Sequence, residues 1–405
     1  MTVLHPSARP EKTAPAESTT VVPLATEDQG SREGRRRIVT MRRSDLLAVG
    51  GAALGALATT ALLFLQLAPL SGTLGFVLVA YALFLVLYAV LVSFDETTTA
   101  VRDRVAAAVV HSLAAVLMAA LVLVVAYTLA RGLGALRNLN FFTSDLQTAG
   151  PLEPLTVGGV LHGVVGTLEQ ITIALLITIP VGISCAVFLN EVPGRFSRFV
   201  RTIVEAMTAL PSVVVGLFIY ATLILSLGFG KSGFAAAVAI SVEMLPIIIR
   251  AADVVLRLVA GSLKEASYAL GAGHWRTVWH VTLPTARSGL TTAVILGTAR
   301  GIGETTPVLL TAGLTAALNA NPFSGPQVSL PLLAFSLVKS PQRTMIERGF
   351  GAAAVLMLLV LLLFVIARVI GGRAPGDVTA RGGRKRVAQS ARDVERFTTR
   401  SNPPT

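Results

Sequence analysis

Long apolar stretches separated by short polar segments dominate the middle of this chain. A helix needs about 20 consecutive apolar residues to cross the ~30 Å hydrocarbon layer of a membrane. By that rule the pattern predicts eight transmembrane helices, over residues 46–70, 73–94, 105–129, 161–189, 202–228, 234–256, 288–312 and 349–370. The fold class predicted is therefore an all-α membrane protein, a polytopic bundle of about eight transmembrane helices.

The two ends of the chain have a different composition. Residues 1–45 and 371–405 are polar and rich in Arg, Pro, Ser and Thr, which predicts disordered, basic tails. The first apolar run begins only near Leu46, so a cleavable signal peptide is a poor interpretation of the start.

The apolar segments change character at residue 161. Residues 46–104 hold two almost uniformly apolar helices, interpreted as additions to the bundle, and 105–160 hold a third helix and an extracytoplasmic loop. Residues 161–370 carry prolines and charged side chains at membrane depth, which membrane helices accept where neighbours satisfy the freed polar groups. This last zone is the predicted transport core.

Composition and charge narrow the class of protein. With 53% hydrophobic residues, 14% charged residues and a mean hydropathy of +0.71, a water-soluble fold is excluded. The net charge of +12 does not indicate nucleic-acid binding, because most of the 34 Lys and Arg residues fall in segments that lie inside if the N-terminus is inside. The pattern predicts a multi-pass membrane protein with both termini cytoplasmic and basic runs against anionic lipid headgroups.

A polar island lies between the predicted sixth and seventh helices. It reads Glu-Ala-Ser, three residues, Gly, nine residues, Val, one residue, Leu-Pro, over residues 265–284. Residues 262–275 favour a helix that Gly271 ends or bends, because glycine tolerates a positive φ. Ser262 precedes Glu265 by three residues, so a capping box is an alternative role for that glutamate.

Ionisable residues inside the bilayer are costly, at about 2.5–3.5 kcal/mol each, and usually mark function. Arg300 falls in the middle of predicted helix 288–312, and Glu304 lies one turn away on the same face. Such a pair either neutralises itself in a buried bundle or offers a guanidinium whose forked donors match an oxyanion. Glu243 and Arg250, in the preceding helix, are secondary candidates.

Two stretches carry a resemblance to a known family. The island is similar to the EAA signature of bacterial ABC importer permeases, and LGTARGIGETTPVLLTAG resembles the AR-x-x-GET-x-P segment of phosphate-importer permeases of the PstA and PstC types. The resemblance implies a type I (MetI-like) core with Arg300 and Glu304 in the phosphate pathway. It also implies that 262–284 is a cytoplasmic coupling loop touching a separate ATPase, through Glu265, Ala266, Ser267, Gly271, Leu283 and Pro284.

The same resemblance implies a location in the bacterial inner membrane and the composition of the assembly. It predicts a PstC-like sibling permease, a dimeric PstB-like ATPase and an extracytoplasmic PstS-like phosphate-binding protein. The sequence contains no Gly-x4-Gly-Lys-Ser/Thr phosphate loop, so ATP and Mg²⁺ are expected on the partner ATPase, with no cofactor, metal site or enzymatic centre in this chain.

Three other functions stay open from the residues alone. The first is an ABC permease for another oxyanion, such as molybdate, sulfate or phosphonate. The second is an ion-coupled secondary carrier that uses Glu243, Arg300 and Glu304 as its coupling set. The third is a membrane component that reports phosphate status without transporting it.

Overall fold

The computed structural model describes residues 43–67, 72–372, 387–390 and 392, and within those ranges every regular element is a helix. The predicted disorder of the two tails falls almost entirely outside the described residues. The helices are α1 (Arg43–Leu62), α2 (Thr73–Ser93), α3 (Thr98–Leu136), α4 (Asn140–Thr143), α5 (Leu161–Glu191), α6 (Arg195–Thr208), α7 (Ser212–Ile219), α8 (Gly233–Arg257), α9 (Gly261–Ala269), α10 (His274–Thr277), α11 (Leu283–Ile302), α12 (Thr306–Thr311), α13 (Leu330–Val338) and α14 (Arg343–Gly371).

The chain divides into two compact units, Met1–Met118 and Ala119–Thr405. In the first unit α1 packs against α2, and Arg104 ties the beginning of α1 to the turn after α2. Its guanidinium lies 2.6 Å from the Asp45 carboxylate and also contacts that of Glu96. An ion pair shared by two carboxylates fixes the guanidinium in one orientation at that end of the unit.

Close contacts around α8 form the centre of the second unit. A Cβ placed on Gly182 of α5 would lie 2.9 Å from Ile248, and one on Gly297 of α11 only 2.4 Å from the same side chain. Likewise, a Cβ on Gly301 would lie 2.5 Å from the sulfur of Met244. The three helices thus approach closely because glycines make room for two large side chains of α8.

Gly166 provides a test of this packing. A Cβ at that position would lie 2.2 Å from the carbonyl oxygen of Val328, a backbone atom that cannot rotate away. We expect Gly166→Ala to lower the free energy of unfolding by about 1–3 kcal/mol, measured as a lower midpoint in thermal unfolding of the purified protein. Gly50→Ala is the control, since nothing lies within 4 Å of its Cβ; equal midpoints for the two variants would contradict the packing.

Among the residues that the structure describes, six helices are long and apolar enough to cross a membrane, and a seventh span is formed if one bent pair counts as a crossing. Their bounds agree with six of the eight predicted segments, although α3 extends well beyond the predicted 105–129. The chain is therefore a multi-pass membrane protein, as predicted, but two predicted segments are not continuous helices.

The predicted helix 202–228 is broken. α6 and the helix that starts at Ser212 and continues through a π-helical turn to Ser226 meet at an angle of 105°. Pro211 lies at the break, where its ring prevents the preceding residues from continuing a helix.

The predicted helix 288–312 is also wrong as a single span. α11 begins earlier, at Leu283, and ends at Ile302; α12 starts only at Thr306. Gly303 follows α11, and Pro307 enters α12 in its first turn, where a missing N–H costs nothing. Arg300 therefore lies in the last turn of a helix and not at the centre of one.

Two loops meet near the beginning of α5: the first, residues 144–160, joins α4 to α5, and the second, residues 312–329, joins α12 to α13. The amide of Leu146 donates to the carbonyl of Ala316 over 3.0 Å, and the amide of Leu318 donates to the carboxylate of Asp145 over 3.0 Å. Arg348 of α14 is buried and donates to three backbone carbonyls of the first loop, those of Glu153, Pro154 and Val157. These bonds hold the polar backbone of both loops against the helices.

Candidate functional site

The break after α11 brings the two predicted pathway residues together. The predicted proximity of Arg300 and Glu304 is confirmed, because they form an ion pair with an N–O distance of 3.0 Å, but the predicted shared helix face is wrong, since α11 ends at Ile302. The two side chains differ in exposure, at 58% for Arg300 and 9% for Glu304. A buried carboxylate thus holds one edge of a guanidinium whose other donors face open space.

A cavity of about 80 Å³ lies beside this pair, between the end of α6, α7, α8 and Arg300. Thr208, Glu243 and Pro246 are among its lining residues. The Glu243 carboxyl interacts electrostatically with both Arg300 and Glu304. Its Oε1 is buried and has no hydrogen-bond partner in the part of the chain that the structure describes. The cavity therefore carries an acceptor on one wall and a guanidinium on another.

This geometry separates the two secondary candidates. Glu243 lines the same cavity as Arg300, a proximity that is not predictable from the sequence because the two residues lie on different helices. Arg250 is exposed further along α8, and the cavity lining does not include it. Asp253, three residues after Arg250, is buried and binds Arg201 of α6 at 2.7 Å and Arg257 at 3.0 Å.

The predicted coupling loop forms a short helix, a turn and a second short helix, α9 and α10. The turn is a Schellman motif: the amide of Gly271 donates to the carbonyl of Tyr268 over 2.9 Å, and that of Ala272 donates to Ser267 over 3.1 Å. Gly271 has φ +82°, which confirms the predicted role of this glycine.

The capping box is wrong, because the residue that caps α9 is Ala260 and no side chain bonds the free amides there. Ser262 lies inside the helix, two residues after the capping position. Glu265 is exposed on α9 and does not cap the helix.

Apolar side chains of the loop point away from the protein. Leu270 is 89% exposed, and the other large ones are also exposed, namely Leu263, Tyr268, Trp275 and Trp279. Glu265 and Ala266 are exposed beside them, whereas Ser267 hydrogen-bonds the hydroxyl of Thr277 over 2.8 Å. Leu283 and Pro284 begin α11 directly after the loop.

Contacts with α5 hold the loop in place. Lys264 of α9 lies 2.6 Å from the carboxylate of Glu191, the last residue of α5. His274 of α10 lies 3.7 Å from the other oxygen of the same carboxylate, while His280 bonds the carbonyl of Arg276. The sequence offered no signal for the first pair, because its members are 73 residues apart.

Comparisons with known proteins assign this arrangement to a family. A family model described as "Binding-protein-dependent transport system inner membrane component" matches residues 178–373. "Phosphate transport system permease protein PstA 1" of Mycobacterium tuberculosis (strain ATCC 25618 / H37Rv) is 37% identical over 243 residues, which cover 60% of this chain and 78% of that protein. The chain belongs to the PstA permease family.

A second PstA permease, that of Pasteurella multocida (strain Pm70), is 34% identical over 226 residues, covering 55% of this chain and 79% of its own length. A solved structure of the MetNI methionine ABC transporter in an inward-facing conformation aligns over 53% of this chain and 93% of its own, with 23% identity and a TM-score of 0.40. The residues matched by the family model include both the coupling loop and the Arg300–Glu304 pair.

Proposed function

We propose that this chain is the transmembrane permease subunit of an ATP-driven importer of inorganic phosphate. The observation that carries the proposal is the Arg300–Glu304 pair at the break after α11, in a chain of the PstA family. The multi-pass helical fold and the exposed coupling loop also support the proposal, because such an importer needs a transmembrane pathway and a contact with its ATPase.

Phosphate binding at Arg300 follows from the chemistry of the pair. A guanidinium presents forked donors that match two oxygens of a phosphate, and such charge-assisted bonds are stronger than neutral ones. Glu304 already occupies one edge of the guanidinium, so an incoming anion competes with a carboxylate for it. This competition keeps the phosphate weakly held, which is what passage through the membrane requires.

Energy for transport comes from a partner ATPase that docks on the coupling loop. The apolar side chains exposed on α9 and α10 provide the area for such a contact. ATP and Mg²⁺ bind to that partner, and this chain takes no part in the hydrolysis. Movement of the loop turns the pathway alternately outward and inward.

The complete assembly proposed contains a PstC-like sibling permease, a dimeric PstB-like ATPase and a PstS-like binding protein that delivers phosphate from outside. Both termini of this chain lie in the cytoplasm, on the side of the coupling loop. The positive-inside placement of Lys and Arg supports this orientation.

Uptake by the complete importer in proteoliposomes tests the function and its alternatives. We expect labelled phosphate to enter only when ATP is supplied on the side of the ATPase, and an excess of unlabelled phosphate to compete. Competition by molybdate, sulfate or a phosphonate at lower concentration than phosphate would assign a different oxyanion. Uptake that survives ATP depletion and collapses with an uncoupler would identify an ion-coupled carrier, and binding without uptake would identify a reporter of phosphate status.

A further inference from the structure

The carboxylate of Glu191 is the point where the coupling loop is fastened to the transmembrane helices. Its side chain is only 6% exposed, and its two oxygens face a lysine and a histidine on different elements of the loop. Lys264 of α9 binds one oxygen at 2.6 Å, and the ring of His274 on α10 lies 3.7 Å from the other. Asn190 adds its side-chain oxygen at 3.4 Å from the same lysine.

The loop itself is cross-linked internally, so a displacement of one of its helices moves the other. The hydroxyl of Tyr268 on α9 bonds the ring of His274 over 3.0 Å, and the hydroxyls of Ser267 and Thr277 are 2.8 Å apart. Together with the Schellman turn, these bonds join α9 to α10. A force that displaces either helix of the loop is therefore transmitted to the contacts with Glu191.

α5 carries the displacement to the opposite side of the membrane core. It is a continuous helix of 31 residues, about 46 Å long at 1.5 Å per residue. Near its first turns, Thr167 accepts the amide of Leu330 over 2.7 Å, and Gln170 donates to the carbonyl of Gln327 over 3.0 Å. One continuous helix, which contains Pro180, thus joins the coupling loop to the loop that precedes α13.

We propose that Glu191 is a positioning residue for energy coupling, which fastens the coupling loop to α5 through Lys264 and His274. The conformational change of the ATPase then moves α5 and the loop before α13. This role rests on the proposed function, since it presupposes an ATPase acting on the loop. Without the fastening, the ATPase still docks and hydrolyses ATP, but the helices follow its movement incompletely.

The test measures ATP hydrolysed per phosphate imported by the complete importer in proteoliposomes. We expect Glu191→Gln and Lys264→Met each to raise that ratio about tenfold at unchanged amounts of assembled complex. The conservative Lys264→Arg is expected to keep it within about threefold of wild type. The charge swap Glu191→Lys with Lys264→Glu is expected to recover most of the loss, because it restores the pair.

A purely structural role would give a different pattern. If Glu191→Gln and Lys264→Met lost uptake and ATP hydrolysis in parallel with the amount of assembled complex, the positioning role would be overturned. Should Glu191→Gln fail to assemble, Lys264→Met against Lys264→Arg decides, since Lys264 lies on the partly exposed loop and not in the helical core. Equal ratios for those two variants would also overturn the role.

Failure of this inference is distinguishable from failure of the function. A wild-type complex that imports no phosphate with ATP would overturn the proposed function itself. If the wild-type complex imports phosphate and all variants hydrolyse the same amount of ATP per phosphate imported as the wild type, only the role of Glu191 would be overturned. Arg343→Gln serves as the control for loss of an ion pair elsewhere, because Arg343 pairs with Glu347 at 3.1 Å on the exposed start of α14.

Discussion

Replacing Arg300 with glutamine is expected to reduce ATP-dependent phosphate uptake about a hundredfold. The substitution removes a charge-assisted contact to the anion, worth roughly 1.5–3 kcal/mol, and about 2.7 kcal/mol corresponds to a hundredfold in rate. It also leaves the buried Glu304 carboxylate without its partner, which adds an unfavourable negative charge to the pathway. Initial rates of labelled phosphate uptake into proteoliposomes provide the measurement.

Arg343→Gln is a closely matched control for this result. Arg343 also pairs with a glutamate four residues on, at 3.1 Å, and it is exposed. The two variants thus lose the same charge and the same type of pair, but only Arg300 lines the cavity with Glu243. Equal rates for the two variants would contradict a role of Arg300 in the pathway.

The second large effect is expected at the coupling loop. We expect Leu270→Asp to weaken binding of the ATPase about a hundredfold, because the side chain is 89% exposed in this chain and its burial in a partner contributes about 1.5–3 kcal/mol. Reversing the sequence of residues 265–271 is expected to abolish uptake and leave membrane insertion intact, since it displaces the glycine that forms the turn. Co-purification of the ATPase and phosphate uptake are the measurements.

Leu152→Asp separates docking from general damage by an exposed charge. Leu152 lies in the loop before α5 and is 88% exposed, so the two leucines are almost equally exposed in this chain. The control variant is expected to retain the ATPase and to import phosphate at the wild-type rate. Retention of the ATPase by Leu270→Asp, or uptake by the variant with reversed 265–271, would contradict docking at this loop.

The transmembrane helices are largely predictable from the sequence because apolar length alone defines them. Six of the predicted segments correspond to long helices, and their apolar runs exceed the thickness of the hydrocarbon layer. The two failures, 202–228 and 288–312, have runs of similar length, but Pro211 and the Gly303–Pro307 stretch interrupt them. Hydropathy averages over such a break and does not detect it.

In the candidate site, contacts between residues close in the sequence are predictable, whereas contacts between distant residues are not. The Arg300–Glu304 pair and the Gly271 turn are predictable, because helix periodicity and glycine conformation act within a few residues. The contact between Lys264 and Glu191 is not predictable from the sequence, since it depends on how α5 and α9 pack. The cavity lined by both Glu243 and Arg300 is not predictable for the same reason. The capping box failed because α9 begins at Gly261, one residue ahead of Ser262.

Uptake by the double variant Arg300→Gln with Glu304→Gln tests most directly whether a guanidinium carries phosphate through this chain. The double variant removes both charges together, so the Glu304 carboxylate is not left buried without its partner. If Arg300 binds the anion, we expect uptake about a hundredfold below wild type, as in the single variant. If the pair only neutralises itself within the bundle, the double variant recovers the wild-type rate, and the proposed pathway is wrong.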